Sequence, residues 1–256
     1  MIGAIIGDIA GSRYEFDNTS DYDFPMFTSD DDFTDDTICT VAVADAAMGD
    51  GDYQTALRRW CRRYPDPKGA YGGYFHNWIL RTDPSPYHSF GNGAAMRVSP
   101  LAWLFADEAE VRRQAEASAA VTHDHPEGIK GAVAIAVAIF RMRTAGAKTA
   151  DIFKDVAREF YGDTPFSNLP ARGVFDVTCQ GCVPLALYLV SQADDFVDAI
   201  RRAVSYGGDT DTVGAIVGSL AEARFGVPAA MDRAARSYLP PDILAVLARF
   251  ARLRYI

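Results

Sequence analysis

Two acidic clusters constrain the fold of this chain more than any other feature of its sequence. They are Thr34-Asp35-Asp36-Thr37 and Asp209-Thr210-Asp211-Thr212, and each opens a segment with apolar residues at helical spacing. No Lys or Arg lies near either cluster, from position 14 to 57 or from 203 to 223. If the fold brings the clusters together, a bound cation is the simplest source of the neutralising charge. The sequence therefore predicts a site for a hard divalent cation, such as Mg²⁺ or Mn²⁺, at two helix starts.

Helix capping is the alternative explanation for each cluster. Thr and Asp are good N-cap residues, and acidic residues in a first helical turn interact favourably with the helix dipole. For one cluster alone, capping is the preferred explanation. A helix needs only one cap, however, and each cluster supplies two carboxylates and two hydroxyls. Two clusters of the same composition therefore favour metal binding.

Length, charge and cysteine content limit the class of protein. The 256 residues are 49% hydrophobic and 23% charged, which is typical of a soluble globular protein. The net charge of -9 argues against nucleic acid as a partner. The longest apolar run, Ala132 to Phe140, is too short for a membrane helix. Four cysteines are too few for a disulfide scaffold, so we expect reduced thiols and a cytoplasmic location. We also expect a monomer and no membrane segment.

The apolar pattern predicts helices in several segments of the chain, whereas strand signals are weak. Helical spacing is found at 37–48, 108–120, 132–142, 183–190, 213–220 and 243–250. Gly3, Gly7 and Gly11 recur every four residues and predict a smooth helix face for close packing. The proline-rich stretches are too short to be interdomain linkers. We predict an all-α fold, a single-domain orthogonal helical bundle spanning residues 1–256.

Five short motifs follow one another along the chain. They are Gly3-Ala-Ile-Ile-Gly-Asp8 with Gly11-Ser12 and Glu15, Phe33 to Thr37, Phe90 to Arg97, Thr122-His123 with Pro126, and Gly207 to Thr212. In this order they resemble the ADP-ribosylglycohydrolase family, which includes the dinitrogenase reductase-activating glycohydrolase. The resemblance extends over nearly the whole chain, and its compact length is similar to that of the bacterial members.

The resemblance implies an all-α fold around a binuclear metal centre at helix ends, with ADP-ribose in the cleft above it. The cofactors would be two divalent cations, Mg²⁺ or Mn²⁺. The implied metal ligands are Thr34, Asp35, Asp36, Asp209, Asp211 and Thr212. The implied substrate-binding residues are Gly91, Asn92, Gly93 and His123.

The implied reaction is hydrolysis of the glycosidic bond between ADP-ribose and a linked group, on an ADP-ribosylated protein or a small conjugate. Such hydrolysis passes through an oxocarbenium-like state and needs an acid for the leaving group and a base for water. Glu15 and Asp36 are both candidates for the general base, and the sequence leaves the choice open. The linkage that is cut and the identity of the metal also stay open.

Two other functions fit part of the sequence. Asp31-Asp32-Phe33-Thr34-Asp35 spells D-D-x-x-D, the magnesium–diphosphate motif of all-α isoprenoid enzymes. That function predicts a mid-helix motif with basic residues nearby, and the flanks of this one lack Lys and Arg. An ADP-ribose-binding module without catalysis is the second alternative, although the intact acidic clusters argue against it.

Overall fold

The computed structural model describes residues 1–253 and is built from helices and connecting loops. The helices are α1 (Ile2–Gly11), α2 (Asp35–Ala47), α3 (Tyr53–Arg63), α4 (Gly73–Leu80), α5 (Gly93–Met96), α6 (Leu101–Leu104), α7 (Glu108–Ala120), α8 (Pro126–Thr144), α9 (Asp151–Tyr161), α10 (Cys179–Ser191), α11 (Phe196–Tyr206), α12 (Thr210–Phe225), α13 (Ala229–Arg236) and α14 (Pro241–Leu253). Within this range, β-pairing is limited to two isolated bridges, Thr34 with Lys68 and Gly91 with Thr178. The all-α prediction is confirmed.

Helices α1 and α12 pack so closely that their backbones touch. A Cβ atom at Gly7 would lie 1.9 Å from the carbonyl oxygen of Gly214, and one at Gly3 would lie 2.2 Å from that of Gly218. The contact is reciprocal, since a Cβ at Gly214 would lie 2.5 Å from the carbonyl oxygen of Gly7. The predicted glycine face is therefore a helix–helix contact, and it brings the end of α1 beside the start of α12.

Helix α8 packs against helices on several sides, among them α7, α10 and α12. His125 caps it by accepting a hydrogen bond from the Glu127 N–H at 3.1 Å, and Pro126 occupies the first turn, where its missing N–H is tolerated. Its apolar residues from Ala132 to Met142 are mostly buried, and Gly131 lets the Cys179 side chain of α10 approach. The buried apolar side chains form one continuous core. The single-domain organisation of residues 1–256 stays a prediction.

The bundle places three helix ends around one cleft. Helix α1 carries Asp8 near its C-terminal end, α2 begins at Asp35 and α12 begins at Thr210. The loops after α1 and before α5 complete the cleft walls with Glu15 and Asn92. Across residues 1–253, no helix combines the length and the apolar character needed to cross a bilayer.

Candidate active site

Asp8 joins α1 to the start of α2. Its fully buried carboxylate accepts hydrogen bonds from the Thr34 N–H at 3.0 Å, the Thr34 hydroxyl at 2.8 Å and the Thr37 N–H at 3.1 Å. The Thr37 hydroxyl donates to it as well. Burial and the neighbouring Asp211 raise the pKa of Asp8 to about 7, and the bonds from Thr37 and Thr34 oppose this shift. Asp8 is therefore the anchor of the first acidic cluster.

The first cluster combines a helix cap with two carboxylates. The Thr34 hydroxyl caps α2 by accepting from the Asp36 N–H at 3.2 Å. The Oδ2 atom of Asp36 accepts from the Thr212 hydroxyl at 3.1 Å, which links the two clusters directly. Asp35 is half-buried and lines the cleft. Capping thus explains Thr34, but it does not explain the acidic side chains.

The second cluster follows a turn that requires glycine. Gly207 and Gly208 have φ angles of 81° and 90°, in the left-handed region that disfavours other residues. Asp209 occupies the N-cap position of α12, yet its side chain makes no capping bond within the described helix. Its Oδ2 atom instead accepts from the Asn92 amide at 2.6 Å. The Asp209 side chain therefore contacts the loop before α5 rather than capping its own helix.

Glu15 completes a tight acidic group with Asp209 and Asp211. Each of the three offers a carboxylate oxygen, and these atoms lie within 4.8 Å of one another. Burial, followed by repulsion from Asp211 and Asp8, raises the pKa of Glu15 to about 8. Burial and repulsion from Asp211 also hold the pKa values of Asp36 and Asp209 well above their usual range. Carboxylates in this arrangement need protons or a cation to offset their repulsion.

Three carboxylate oxygens, one from Glu15 and one from each acidic cluster, have no hydrogen-bond partner among the described residues. They are Glu15 Oε2, Asp36 Oδ1 and Asp211 Oδ1, each buried and without a partner among residues 1–253. Buried polar atoms in proteins are nearly always satisfied, so unpaired oxygens need an explanation. A hard divalent cation prefers oxygen ligands of this type. The donor set therefore fits a metal site of the predicted chemistry.

The predicted site residues occupy one cavity of about 400 Å³, with one exception. Its walls include Glu15, Asp35, Asp36, Asp209, Asp211, Thr212, Gly91, Asn92, Gly93 and His123. The exception is Thr34, which is fully buried and does not line this cavity. The structure gives Thr34 a capping role, and its metal ligation stays a prediction.

The surroundings of His123 favour its neutral form. The Arg97 guanidinium donates to the Thr122 hydroxyl at 2.9 Å, and that hydroxyl lies 2.7 Å from His123 Nδ1. Because a guanidinium only donates, the hydroxyl accepts from Arg97, and its own hydrogen is available to donate to Nδ1. Burial, and then the charge of Arg97, lower the pKa of His123 well below its usual range. The Nε2 atom of the ring lies close to Gly91 and Gly93.

Comparison with known proteins identifies the family. The sequence model of the ADP-ribosylglycohydrolase family matches residues 1–254. The chain belongs to the ADP-ribosylglycohydrolase family. The resemblance predicted from the five motifs is thereby confirmed, and so is the assignment to a family of hydrolases.

Individual relatives are distant. An uncharacterised protein of Archaeoglobus fulgidus is 31% identical over 157 residues, which are 53% of this chain and 50% of that protein. The "ADP-ribosyl-[dinitrogen reductase] glycohydrolase" of Rhodospirillum rubrum is 26% identical over 206 residues, 76% of this chain and 69% of that protein. A solved structure titled "ADP-ribosylglycohydrolase-related protein complex" matches with a TM-score of 0.75 at 21% identity, over 99% of this chain and 95% of that one. This last similarity shows the shared fold.

Aromatic side chains border the cleft of this ADP-ribosylglycohydrolase family member. Phe16 stacks on Phe175 with ring centroids 5.9 Å apart, and Tyr74 stacks on Tyr87 at 6.2 Å. Phe16 is 76% exposed, which is unusual for so large an apolar side chain. The sequence did not identify these residues, since stacking between Phe16 and Phe175 depends on two loops that are far apart in the chain.

The D-D-x-x-D motif is not arranged as an isoprenoid diphosphate site requires. Asp31 and Asp32 lie in the loop before α2, and neither lines the cavity that contains Asp35. The Oδ2 atom of Asp31 accepts from both the N–H and the hydroxyl of Thr28, and its Oδ1 atom lies 3.8 Å from Arg13 Nε. Asp31 therefore stabilises a loop, and its position is not that of a metal ligand in the cleft.

Proposed function

We propose that this chain is a metal-dependent hydrolase that cleaves the glycosidic bond between ADP-ribose and a linked group. One observation carries the proposal. The unpaired carboxylate oxygens of Glu15, Asp36 and Asp211 converge in the cavity that also contains Asn92 and His123. Family membership supports the substrate class, as does the name of the Rhodospirillum rubrum relative. The substrate is an ADP-ribosylated protein or a small ADP-ribose conjugate.

Two divalent cations, Mg²⁺ or Mn²⁺, fit the acidic residues of the cleft. The proposed ligands are Asp35, Asp36, Asp209, Asp211 and Thr212, with Thr34 holding the first cluster in place. Their oxygen donors suit hard cations, and the unpaired oxygens of Asp36 and Asp211 are the atoms that such cations would satisfy. When bound, the cations orient the ribose hydroxyls and lower the pKa of a bound water.

Glu15 is the better candidate for the general base. It lies in a loop rather than a helix, is half-buried, and keeps its Oε2 atom unpaired. Asp36 is more restricted, because its Oδ2 atom already accepts from Thr212. A carboxylate that takes the proton from the attacking water contributes about 10²–10⁴-fold to the rate. We assign this role to Glu15 and the role of metal ligand to Asp36.

The loop before α5 and His123 bind the ADP-ribose part of the substrate. Gly91 and Gly93 carry no Cβ atom, so their backbone can approach a bound diphosphate closely. The Nε2 atom of His123 lies beside both glycines, and we assign the proton of the neutral ring to this atom, where it provides a hydrogen-bond donor at neutral pH. Asn92 is fixed by its bonds to Asp209 at 2.6 Å and to the Val177 carbonyl at 2.8 Å. The diphosphate subsite is thus rigidly connected to the second acidic cluster.

The cellular setting follows from composition. The net charge of -9 disfavours binding to the negatively charged phosphates of nucleic acid. We propose a cytoplasmic monomer, a setting in which its four buried, free cysteines stay reduced.

The test is release of ADP-ribose from arginine-, serine- and nucleobase-linked conjugates, measured with Mg²⁺, with Mn²⁺ and with EDTA. We expect metal-dependent release from one or more of them, and its loss in Asp35→Ala and Asp211→Ala. Asp151→Ala is the matched control, because Asp151 also opens a helix but is exposed and lies outside the cleft. Tight ADP-ribose binding without release from any conjugate would instead establish a binding module.

A further inference from the structure

The side chain of Asn18 is bonded to two separate turns of the cleft. Its Nδ2 group donates to the carbonyl oxygens of Tyr14 at 2.6 Å and Glu15 at 3.2 Å. The same group donates to the Gly208 carbonyl at 3.0 Å, and Oδ1 accepts from the Gly208 N–H at 2.6 Å. One exposed side chain thus joins the turn that carries Glu15 to the turn that precedes Asp209.

The bonds to Gly208 fix an orientation as well as a distance. A planar amide that donates to one backbone group and accepts from the other cannot rotate without breaking a bond. Gly208 is buried and held with φ at 90°, so it offers a rigid reference point. A second contact acts on the same loop, because Phe16 stacks on Phe175. Of the two contacts, only the one made by Asn18 reaches the backbone beside a carboxylate of the acidic group.

The loop needs such a tether because Glu15 is repelled from its own site. Its carboxylate lies within 4.8 Å of those of Asp209 and Asp211. It is carried by a loop outside the regular helices, where the chain is free to turn the side chain toward water. A reacting group held loosely by about 1 Å loses on the order of 10²-fold in rate. The geometry therefore demands a residue that opposes the repulsion.

We propose that Asn18 is a positioning residue that holds Glu15 and Asp209 in register across the cleft. The catalytic part of this inference rests on the proposed function, since it takes Glu15 as the general base. The structural part does not, because a displaced Asp209 changes cation binding whether or not the protein is a hydrolase. No role in folding is required of Asn18, which is exposed and leaves no core cavity when truncated.

The experiment compares Asn18→Ala with Thr19→Ala. Thr19 is in the same loop, and its hydroxyl accepts only a local bond from the Asp21 N–H at 3.1 Å. We expect Asn18→Ala to lower kcat about 10- to 100-fold with KM within about threefold, and to weaken Mn²⁺ binding measured by calorimetry at least threefold. Thr19→Ala should match the wild type in all three quantities. Asn18→Asp keeps the acceptor but points a charge at three carbonyl oxygens, so it should lose at least as much kcat.

A double variant separates positioning through Glu15 from a general effect. If Asn18 acts on kcat through Glu15, then in saturating Mn²⁺ Asn18→Ala combined with Glu15→Gln is no slower than Glu15→Gln alone. Additive losses in that double variant would overturn the inference, as would kcat and Mn²⁺ affinity of Asn18→Ala within twofold of wild type. If the wild type releases no ADP-ribose, the proposed function fails instead. The Mn²⁺ titration then decides alone, with weakened binding supporting the role of Asn18 and unchanged binding refuting it.

Discussion

Replacing Gly7 by Ala should damage both stability and cation binding. The added Cβ atom would lie 1.9 Å from the Gly214 carbonyl oxygen, whereas ordinary contact begins at 3.4 Å. Helices α1 and α12 must therefore separate by about 1.5 Å, because a backbone carbonyl cannot move aside as a flexible side chain does. Overpacking usually costs about 1–3 kcal/mol, and contact with backbone places this variant at about 3 kcal/mol or above. For a domain of this size, that corresponds to a melting temperature lower by roughly 6–12 °C.

The consequence for the site follows from what the two helices carry. Asp8 lies next to Gly7 on α1, and Asp211 lies on α12. If the two helices separate, the carboxylates of Asp8 and Asp211 therefore separate as well. Thermal and urea unfolding measure the first effect, and Mn²⁺ calorimetry below the melting temperature measures the second. Gly73→Ala is the control, since a Cβ there meets nothing within 4 Å. A Gly7→Ala variant that unfolds within about 1 kcal/mol of wild type and binds Mn²⁺ equally well would refute the packing argument.

Four further predictions concern the charged and polar residues of the cleft. Without cations, the free energy of unfolding should fall as pH rises from about 4.5 to 8, because folded Asp8 and Glu15 retain protons that the unfolded chain has lost. Urea unfolding in EDTA at a series of pH values measures this effect, and saturating Mn²⁺ should make the free energy of unfolding less dependent on pH. A free energy of unfolding that rises with pH in EDTA would contradict the prediction. Asp36→Asn removes a charge that its neighbours repel, so in EDTA at pH 8 the variant should be at least as stable as wild type. Calorimetry should nevertheless show that it binds Mn²⁺ at least tenfold more weakly. Wild-type ADP-ribose affinity in saturating Mn²⁺ should be constant from pH 6 to 8, because His123 stays neutral. His123→Ala should weaken that affinity about tenfold or more through loss of one bond to an anionic group, and an unchanged affinity would exclude His123 from the subsite.

The features that the sequence predicted correctly are those with a local cause. Helical periodicity located α2, α7, α8, α10, α12 and α14, and each of these predicted segments falls within a helix of the structure or extends one residue beyond it. It did not locate α3, α9 or α11. The spacing of Gly3, Gly7 and Gly11 predicted a contact face because only glycine allows backbones to touch. The two acidic clusters meet, with Asp36 bonded to Thr212. The sequence could indicate this meeting because both clusters lack nearby Lys and Arg, so their negative charge must be neutralised in some other way.

The features that the sequence did not predict depend on contacts between distant parts of the chain. The sequence did not assign Asp8 to the site, although Asp8 is the single charged residue of an otherwise apolar helix. Thr34 caps α2 and does not line the cavity, which the sequence did not indicate, and its metal ligation stays a prediction. The bonds between Asn18 and Gly208 join residues 190 positions apart, and nothing in either segment indicates the other. Such pairings are set by topology, which residue spacing does not encode.

The glycine contact and the acidic group depend on each other. Burying carboxylates together raises the free energy of the folded chain, which the raised pKa values of Asp8 and Glu15 express. A loosely packed bundle would relieve this repulsion by moving its helices apart, and the cation site would be lost. Helices α1 and α12 cannot do so without giving up their backbone contact at Gly7 and Gly214. Close packing of α1 and α12 therefore keeps the carboxylates near enough for a cation to stabilise them. The repulsion between these carboxylates is the source of the affinity that we propose for divalent cations.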